Sequence, residues 1–148
     1  MTSMIVATAD GLGGMAFVPL AAIPEGAVVA SITDRVEHTA PTKYTIQVSR
    51  DRHVDAAEVR YLNHSCRPNA VVDTVHNVVV ATSPIAEGEQ VTFFYPATEW
   101  EMADPFSCGC GHDNCLGEIA GAAFLPGAVL SGYQLSPHIA ELVAERDR

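Results

Sequence analysis

Three of the chain's four cysteines fall together in Cys108-Gly109-Cys110-Gly111-His112-Asp113-Asn114-Cys115, a C-x-C-x4-C pattern. The intervening glycines let a backbone fold tightly around an ion, but three thiolates leave a tetrahedral metal one ligand short. Cys66, more than forty residues upstream, is the only cysteine left. Four thiolates suit a closed structural zinc site with Zn–S bonds of about 2.3 Å. Two disulfides, or a site drawing on His64 or His112, are the alternatives. A cytoplasmic setting disfavours disulfides, and Cys108 and Cys110 are poorly placed to pair with each other. A metal held this way would pin the 105–117 segment against the loop around residue 66. It would contribute folding free energy rather than chemistry.

That loop is Arg60-Tyr61-Leu62-Asn63-His64-Ser65-Cys66-Arg67-Pro68-Asn69. It is crowded with hydrogen-bonding side chains and closed by Pro-Asn, so it can cap a ligand, hold a metal or turn the chain. At 148 residues the chain is most simply one domain with a sizeable core. Its 48% hydrophobic and 18% charged content argues against disorder. No apolar run approaches the ~20 residues of a membrane span. The first residues lack a basic, then apolar leader, which gives the expectation of a cytoplasmic protein.

The net charge is −10, and residues 61–107 hold one base, Arg67, against six acids. Phosphate recognition needs a basic stripe, so direct nucleic-acid binding is not expected. A cationic partner such as a lysine-bearing chain would be favoured electrostatically. An acidic surface also serves solubility alone.

Short strands separated by turns dominate the pattern. Residues 4–9 read as a strand running into Asp10-Gly11-Leu12-Gly13-Gly14, either a tight hairpin or a place for backbone to approach a ligand. No long helix follows, against a dinucleotide fold. Ile23-Pro24-Glu25-Gly26 is a turn, 27–32 a strand, and 33–42 a polar loop. Tyr44, Ile46 and Val48 alternate with Thr45 and Gln47, the period of a half-buried strand. Val71-Val72, Val75 and Val78 to Ala81 suggest further strands around an Asn77 turn. Ile85-Ala86-Glu87-Gly88 repeats the earlier turn, and 90–95 is another strand. Phe124-Leu125-Pro126-Gly127 reads as an anchored connection into a closing helix. That helix is capped by Ser136, opened by Pro137 and striped with Ile139, Leu142 and Val143, with packing as its job. The fold class is therefore mostly β with few short helices.

With Asn63-His64-Ser65-Cys66-x-Pro68-Asn69, Gly88-Glu89-Gln90-Val91-Thr92-Phe93-Phe94-Tyr95 and the C-x-C-x4-C cluster, the chain resembles the SET-domain family with its post-SET zinc motif. The match runs from about residue 9 to 117. The resemblance implies a β-clip-like fold of small curved sheets with a C-terminal pseudoknot. It divides the chain into a SET domain (1–106), a post-SET zinc segment (107–120) and a C-terminal extension with a helix (121–148). It also implies methyl transfer from S-adenosylmethionine to a protein lysine, beside one structural Zn2+ held by Cys66, Cys108, Cys110 and Cys115.

By that resemblance, backbone at Gly11, Gly13 and Gly14, with Asn63 and His64, holds the cofactor, and Trp100 and Phe106 are the aromatics that would close over it. Tyr95 is the active-site tyrosine, and Phe93 and Tyr61 line the lysine channel. A Phe at 93 leaves room for more than one methylation. Read on their own, Tyr95, Phe93 and Tyr61 serve equally as core, and Asn63 and His64 as turn residues.

Three features depart from the family pattern. Phe94 and Arg67 stand where acidic or polar residues are common, which raises a non-catalytic binding module as an alternative. Only about 34 residues separate Gly26 from Arg60, too few for the usual insert that shapes a peptide groove. That brevity raises a small-molecule acceptor as another alternative. The sequence leaves the oligomeric state open.

Overall fold

Strands this short cannot make one large sheet, and the chain instead builds several small ones. The computed structural model describes residues 4–11 and 13–148; residues 1–3 of the expected SET segment lie outside them. Among the described residues, twelve strands form three two-stranded and two three-stranded sheets. Strands β1 (Ile5–Ala9) and β2 (Met15–Pro19) form an antiparallel hairpin. β3 (Val28–Ser31), β9 (Val78–Ala81) and β8 (Ala70–Asp73) form one antiparallel sheet in that order. β4 (Arg35–His38), β6 (Arg52–Ala56) and β5 (Ile46–Ser49) form a second. β7 (Asn63–His64) pairs in parallel with β10 (Thr92–Phe93), and β11 (Phe106–Ser107) pairs antiparallel with β12 (Glu118–Ile119).

Two expectations are corrected. The polar stretch 33–42 contains β4, an edge strand with Arg35, Val36 and Glu37 exposed and His38 only half-buried. With no buried face it has no apolar alternation to betray it, and backbone pairing with β6 holds it in place. The expected 90–95 strand shortens to Thr92–Phe93, because Tyr95–Ala97 is a turn of 3-10 helix with Pro96 inside it. Proline has no N–H for a ladder, so pairing stops there.

The two Ile-x-Glu-Gly turns find each other. Ile23 and Ile85 exchange both backbone hydrogen bonds at 2.8 Å and are each 1% exposed. Their likeness is that of two strands meeting at a shared bridge, not of a repeat. Asn77 takes φ of 57°, in the left-handed region that asparagine tolerates, and turns β8 into β9.

Consecutive phenylalanines divide the core. Phe93 packs into the main cluster, built from β2, β3, β5, β6, β8 and β9, while Phe94 packs into a second. The second consists of Ala97, Ala122, Leu130 and Ile139, joined by half-buried Trp100, Leu116, Tyr133 and Val143. The C-terminal extension therefore packs on Phe94 and the 3-10 turn that follows it. It contains a 3-10 turn (Ala122–Phe124), one helical turn, α1 (Gly127–Leu130), and the helix α2 (Pro137–Arg146).

Pro137 opens α2 as expected, but the Ser136 hydroxyl makes no capping bond and instead accepts one from Thr74 Oγ1 at 3.1 Å. Ile139 is fully buried, a contribution of about 1.5–3 kcal/mol for such a side chain. Leu125 anchors the connection before α1; Phe124 is 64% exposed and does not. At Gly121 (φ 120°) a Cβ would run into the Trp100 carbonyl, so only glycine lets the extension turn this close.

Candidate active site and metal centre

The Asn-His-Ser-Cys-x-Pro-Asn loop closes around the 90–93 strand. Asn69 does this with its side chain: Nδ2 donates to Gln90 O (2.8 Å) and Oδ1 accepts from Thr92 N–H (2.8 Å), imitating a strand neighbour. Ser65 N–H donates to Phe93 O at 3.1 Å beside the β7–β10 pair. These contacts lay the 63–69 loop across the segment leading to Tyr95, as the expected pseudoknot would.

This crossing brings His64 against Tyr95. Tyr95 N–H donates to His64 Nδ1 at 3.1 Å, which leaves the ring proton on Nε2, 3.4 Å from Cys66 Sγ. Burial pushes His64 down to about 4, so the ring is neutral. The Tyr95 hydroxyl donates to Leu62 O at 2.7 Å. Burial, and next the charge of Glu99, push its pKa above that of an ordinary phenol. Phe93 and Phe106 flank it, with ring centroids at 4.8 and 5.9 Å, and Phe106 also sits 5.8 Å from His64.

Asn63 Nδ2 donates to Met15 O (3.0 Å) and to Gln90 Oε1 (3.1 Å), tying the loop to β2 just past the glycine turn. There Gly14 N–H donates to Asp10 Oδ1 at 3.0 Å, while Gly11 and Gly13 take φ of 82° and 91°. The hairpin reading of this cluster thus holds. A Cβ at Gly11 or Gly13 would meet nothing within 4 Å, so it is the left-handed backbone, not crowding, that requires glycine.

The structure brings Tyr95, His64, Phe93 and Phe106 together and sets Asn63 beside the glycine hairpin. Tyr61 packs at the near edge of the main core, 5.6 Å from Phe17 and 6.3 Å from Tyr44. Trp100 is not drawn into this group. Its ring has Arg146 at 5.8 Å, and it belongs to the second cluster.

The four cysteine Sγ atoms lie within 4.8 Å of one another, and no disulfide joins them. Cys66 and Cys108 Sγ are 3.9 Å apart, close to the roughly 3.8 Å that neighbouring thiolates adopt around tetrahedral zinc and far from a bonded pair. Neither His64 nor His112 belongs to the set. Leu116 N–H donates to Cys66 Sγ at 3.3 Å, the backbone support common behind metal thiolates. The donor set fits zinc.

Several residues of this region went unread in the sequence. Glu99 is buried at the end of the 3-10 turn, and its Oε2 accepts from Gln47 N–H (2.8 Å) and Thr98 Oγ1 (2.7 Å). Burial raises it to about 7. Gln47 and Thr45, the polar members of the β5 alternation, are 4% and 7% exposed, so that strand is buried on both faces. Gln47 Oε1 accepts from Trp100 N–H at 2.9 Å. The only hint of this was an acid among apolar neighbours in Ala97-Thr98-Glu99-Trp100.

Tyr133 is the other such residue. Its ring stacks on Phe94 at 3.6 Å and 3°, and its hydroxyl donates to Cys66 O at 2.6 Å. Asn114 Nδ2 donates to the same carbonyl at 2.9 Å. Nothing near Tyr133 in sequence signals a partner sixty-seven residues away.

Comparison with known proteins agrees with this geometry. The SET domain family model matches residues 12–96. A methyltransferase of Aspergillus flavus, flvH, is 39% identical over 128 residues, covering 84% of this chain and 72% of its own. The H3 lysine-36 specific histone-lysine N-methyltransferase of Candida albicans is 34% identical over 97 residues, covering 59% of this chain but only 11% of that much longer protein. The fold also matches KRYPTONITE, solved with mCHH DNA, an H3(1-15) peptide and SAH, with a TM-score of 0.60 at 21% identity over 80% of this chain and 30% of that one. The chain belongs to the SET-domain family. It is an S-adenosylmethionine-dependent methyltransferase. Because the KRYPTONITE complex contains DNA as well as peptide, the comparison lends no support to the expectation that nucleic acid is not bound. Among the described residues no helix is long and apolar enough to cross a membrane.

Proposed function

We propose that this chain methylates the side-chain amine of a lysine in a protein, with Tyr95 at the reacting centre. The observation that carries this reading is the pairing of the Tyr95 hydroxyl with the Leu62 carbonyl, 2.7 Å apart among Phe93, His64 and Phe106. With its O–H hydrogen-bonded to the Leu62 carbonyl, the Tyr95 oxygen offers lone pairs that can accept from an incoming amine and orient it. The raised pKa keeps that hydroxyl protonated, so Tyr95 positions rather than deprotonates. The aromatic walls strip water from the amine, which lowers a lysine pKa and frees its lone pair. S-adenosylmethionine, when bound, would supply an electrophilic methyl on sulfur for transfer to the amine, whose proton would pass to solvent. Oxygens fixed around that carbon stabilise its partial charge, and in-line placement accounts for several of the ~7–11 kcal/mol that orientation can supply.

Asn63, His64 and backbone at Gly11, Gly13 and Gly14 would hold the cofactor, with Phe106 closing over it and Trp100 supporting that flap from the second core. Phe93 and Tyr61 would line the channel, where Phe93 leaves room for more than one methylation. One zinc on Cys66, Cys108, Cys110 and Cys115 would fix the flap. We retain 1–106 as the SET unit, 107–120 as the zinc segment and 121–148 as the extension.

Incubation with radiolabelled cofactor, histones and other basic proteins tests this function. Label on protein, lost in Tyr95→Phe, is the expected result; cofactor binding without transfer to any protein refutes it. A nuclear site would accompany a histone acceptor, a cytoplasmic one another protein.

A small-molecule amine is the second reading. The 27–59 segment is used up in β3 to β6, leaving no separate insert to shape a peptide groove. Mass spectrometry of an enzyme-treated metabolite extract, run beside the protein assay, separates the two. A non-catalytic module, which Phe94 and Arg67 allow, is refuted by any transfer that Tyr95→Phe abolishes.

A further inference from the structure

A cavity of about 550 Å3 opens between the 66–72 segment and the C-terminal extension. Its floor is Ala70, Val72, Phe93 and Phe94, all nearly inaccessible to solvent. Arg67 is the sole basic residue on its described lining. The Arg67 side chain makes no ion pair or hydrogen bond with another described residue, whereas Arg50, Arg52, Arg60 and Arg146 are each held by a carboxylate. An unpaired cation therefore stands on an apolar hollow, in a chain whose net charge is −10. The volume lies within the about 300–1,000 Å3 of small-molecule sites, where apolar walls supply affinity and a few polar groups fix orientation.

We propose that this cavity binds an amphipathic monoanion, a carboxylate on a medium-length apolar chain, with the carboxylate on Arg67 and the chain against half-buried Val71, Leu116 and Val129. A cationic amine is disfavoured there by Arg67, which separates this site from the acceptor channel although Phe93 is a wall of the cavity. None of Asn63, His64 and Tyr95 lines it. The occupant would lie against Tyr133 and the Cys66 loop, and so bear on the metal flap. The inference stands whether or not the methyl acceptor is a lysine.

Isothermal titration of the zinc-loaded full chain with decanoate, kept below its micellar range, and with decyltrimethylammonium as the cationic counterpart, tests the site. Decanoate binds at one per chain and the cation does not. Arg67→Gln weakens decanoate about tenfold, the loss of one charge-assisted contact, and Val71→Trp, which fills the hollow from its half-buried edge, removes binding. Absence of saturable decanoate binding, equal binding of the cation, or binding unchanged in Arg67→Gln would each overturn the proposal. Arg67 is exposed, so its variant folds and decides the matter even if Val71→Trp does not. The melting shift produced by S-adenosylmethionine, measured on the same samples, reports the cofactor reading separately.

Discussion

At the scale of single residues, Tyr95 and Glu99 illustrate two different uses of burial. Tyr95 keeps its proton and spends it on Leu62, so its value lies in position. Removing the hydroxyl leaves the ring contacts with Phe93 and Phe106 in place. Tyr95→Phe should therefore lower turnover by about 10²-fold with little change in S-adenosylmethionine affinity; equal losses in both would show that Tyr95 builds the cofactor site instead. Glu99 is a cost to the fold. Its folded pKa of about 7 lies above the 4.5 of the unfolded chain, so the folded protein holds the proton longer. Stability from this group is undiminished below about pH 4.5, falls as pH rises to about 7 and is then lower by about 3 kcal/mol. Glu99→Gln removes that slope. His53 and His138, whose pKa values burial lowers, are common to both proteins and drop out of the comparison. Melting curves should show the variant gaining on the native chain between about pH 5 and 8; a constant difference would contradict the assignment.

At the scale of elements, the extension acts as a brace. Tyr133 grips Phe94 with its ring and Cys66 with its hydroxyl, joining the second core to both the segment leading into Tyr95 and the Cys66 loop. Tyr133→Phe keeps the stack and gives up one hydrogen bond, about 0.5–1.5 kcal/mol, and should speed zinc release to a chromogenic chelator. Tyr133→Leu also loses a stacked pair worth about 0.5–1.5 kcal/mol and should weaken cofactor binding as well. Identical behaviour of the two variants would dissociate the ring from the active site. Such couplings set the limit of what sequence reading reaches. The cysteine spacing and the Asn63–Asn69 motif were legible because metal geometry and a self-hydrogen-bonding loop restrict residue type locally. The strand β4 was not, since an edge strand exposed on both faces has no periodic apolar pattern. Gln47 and Thr45 read as solvent-facing because alternation cannot reveal that Glu99, Trp100 and Thr42 satisfy them in the interior. Trp100 stands between the tyrosine and the cysteines in sequence, and only packing shows its ring beside Arg146 in the second core.

For the whole molecule, the decisive link is between metal and cofactor. His64 touches Tyr95 through Nδ1 and Cys66 through Nε2, so the loop that would hold the cofactor is also the loop that would hold zinc. Any influence that one ligand exerts on the other through this loop must be reciprocal. Zinc-loaded protein with S-adenosylmethionine at a hundred times its Kd gains about 2.7 kcal/mol, which in a domain of this size raises Tm by about 5–10 °C. Cys66→Ser removes one of four thiolates, so the variant should lose zinc by metal analysis, melt well below the native chain and show little cofactor shift. Gln90→Ala provides the contrast. It withdraws one partner of Asn63 without touching the metal, and should blunt the cofactor shift while retaining a full complement of zinc. A Cys66→Ser protein that lost its metal yet kept the whole cofactor shift would show that the two sites are independent and that the shared loop couples nothing.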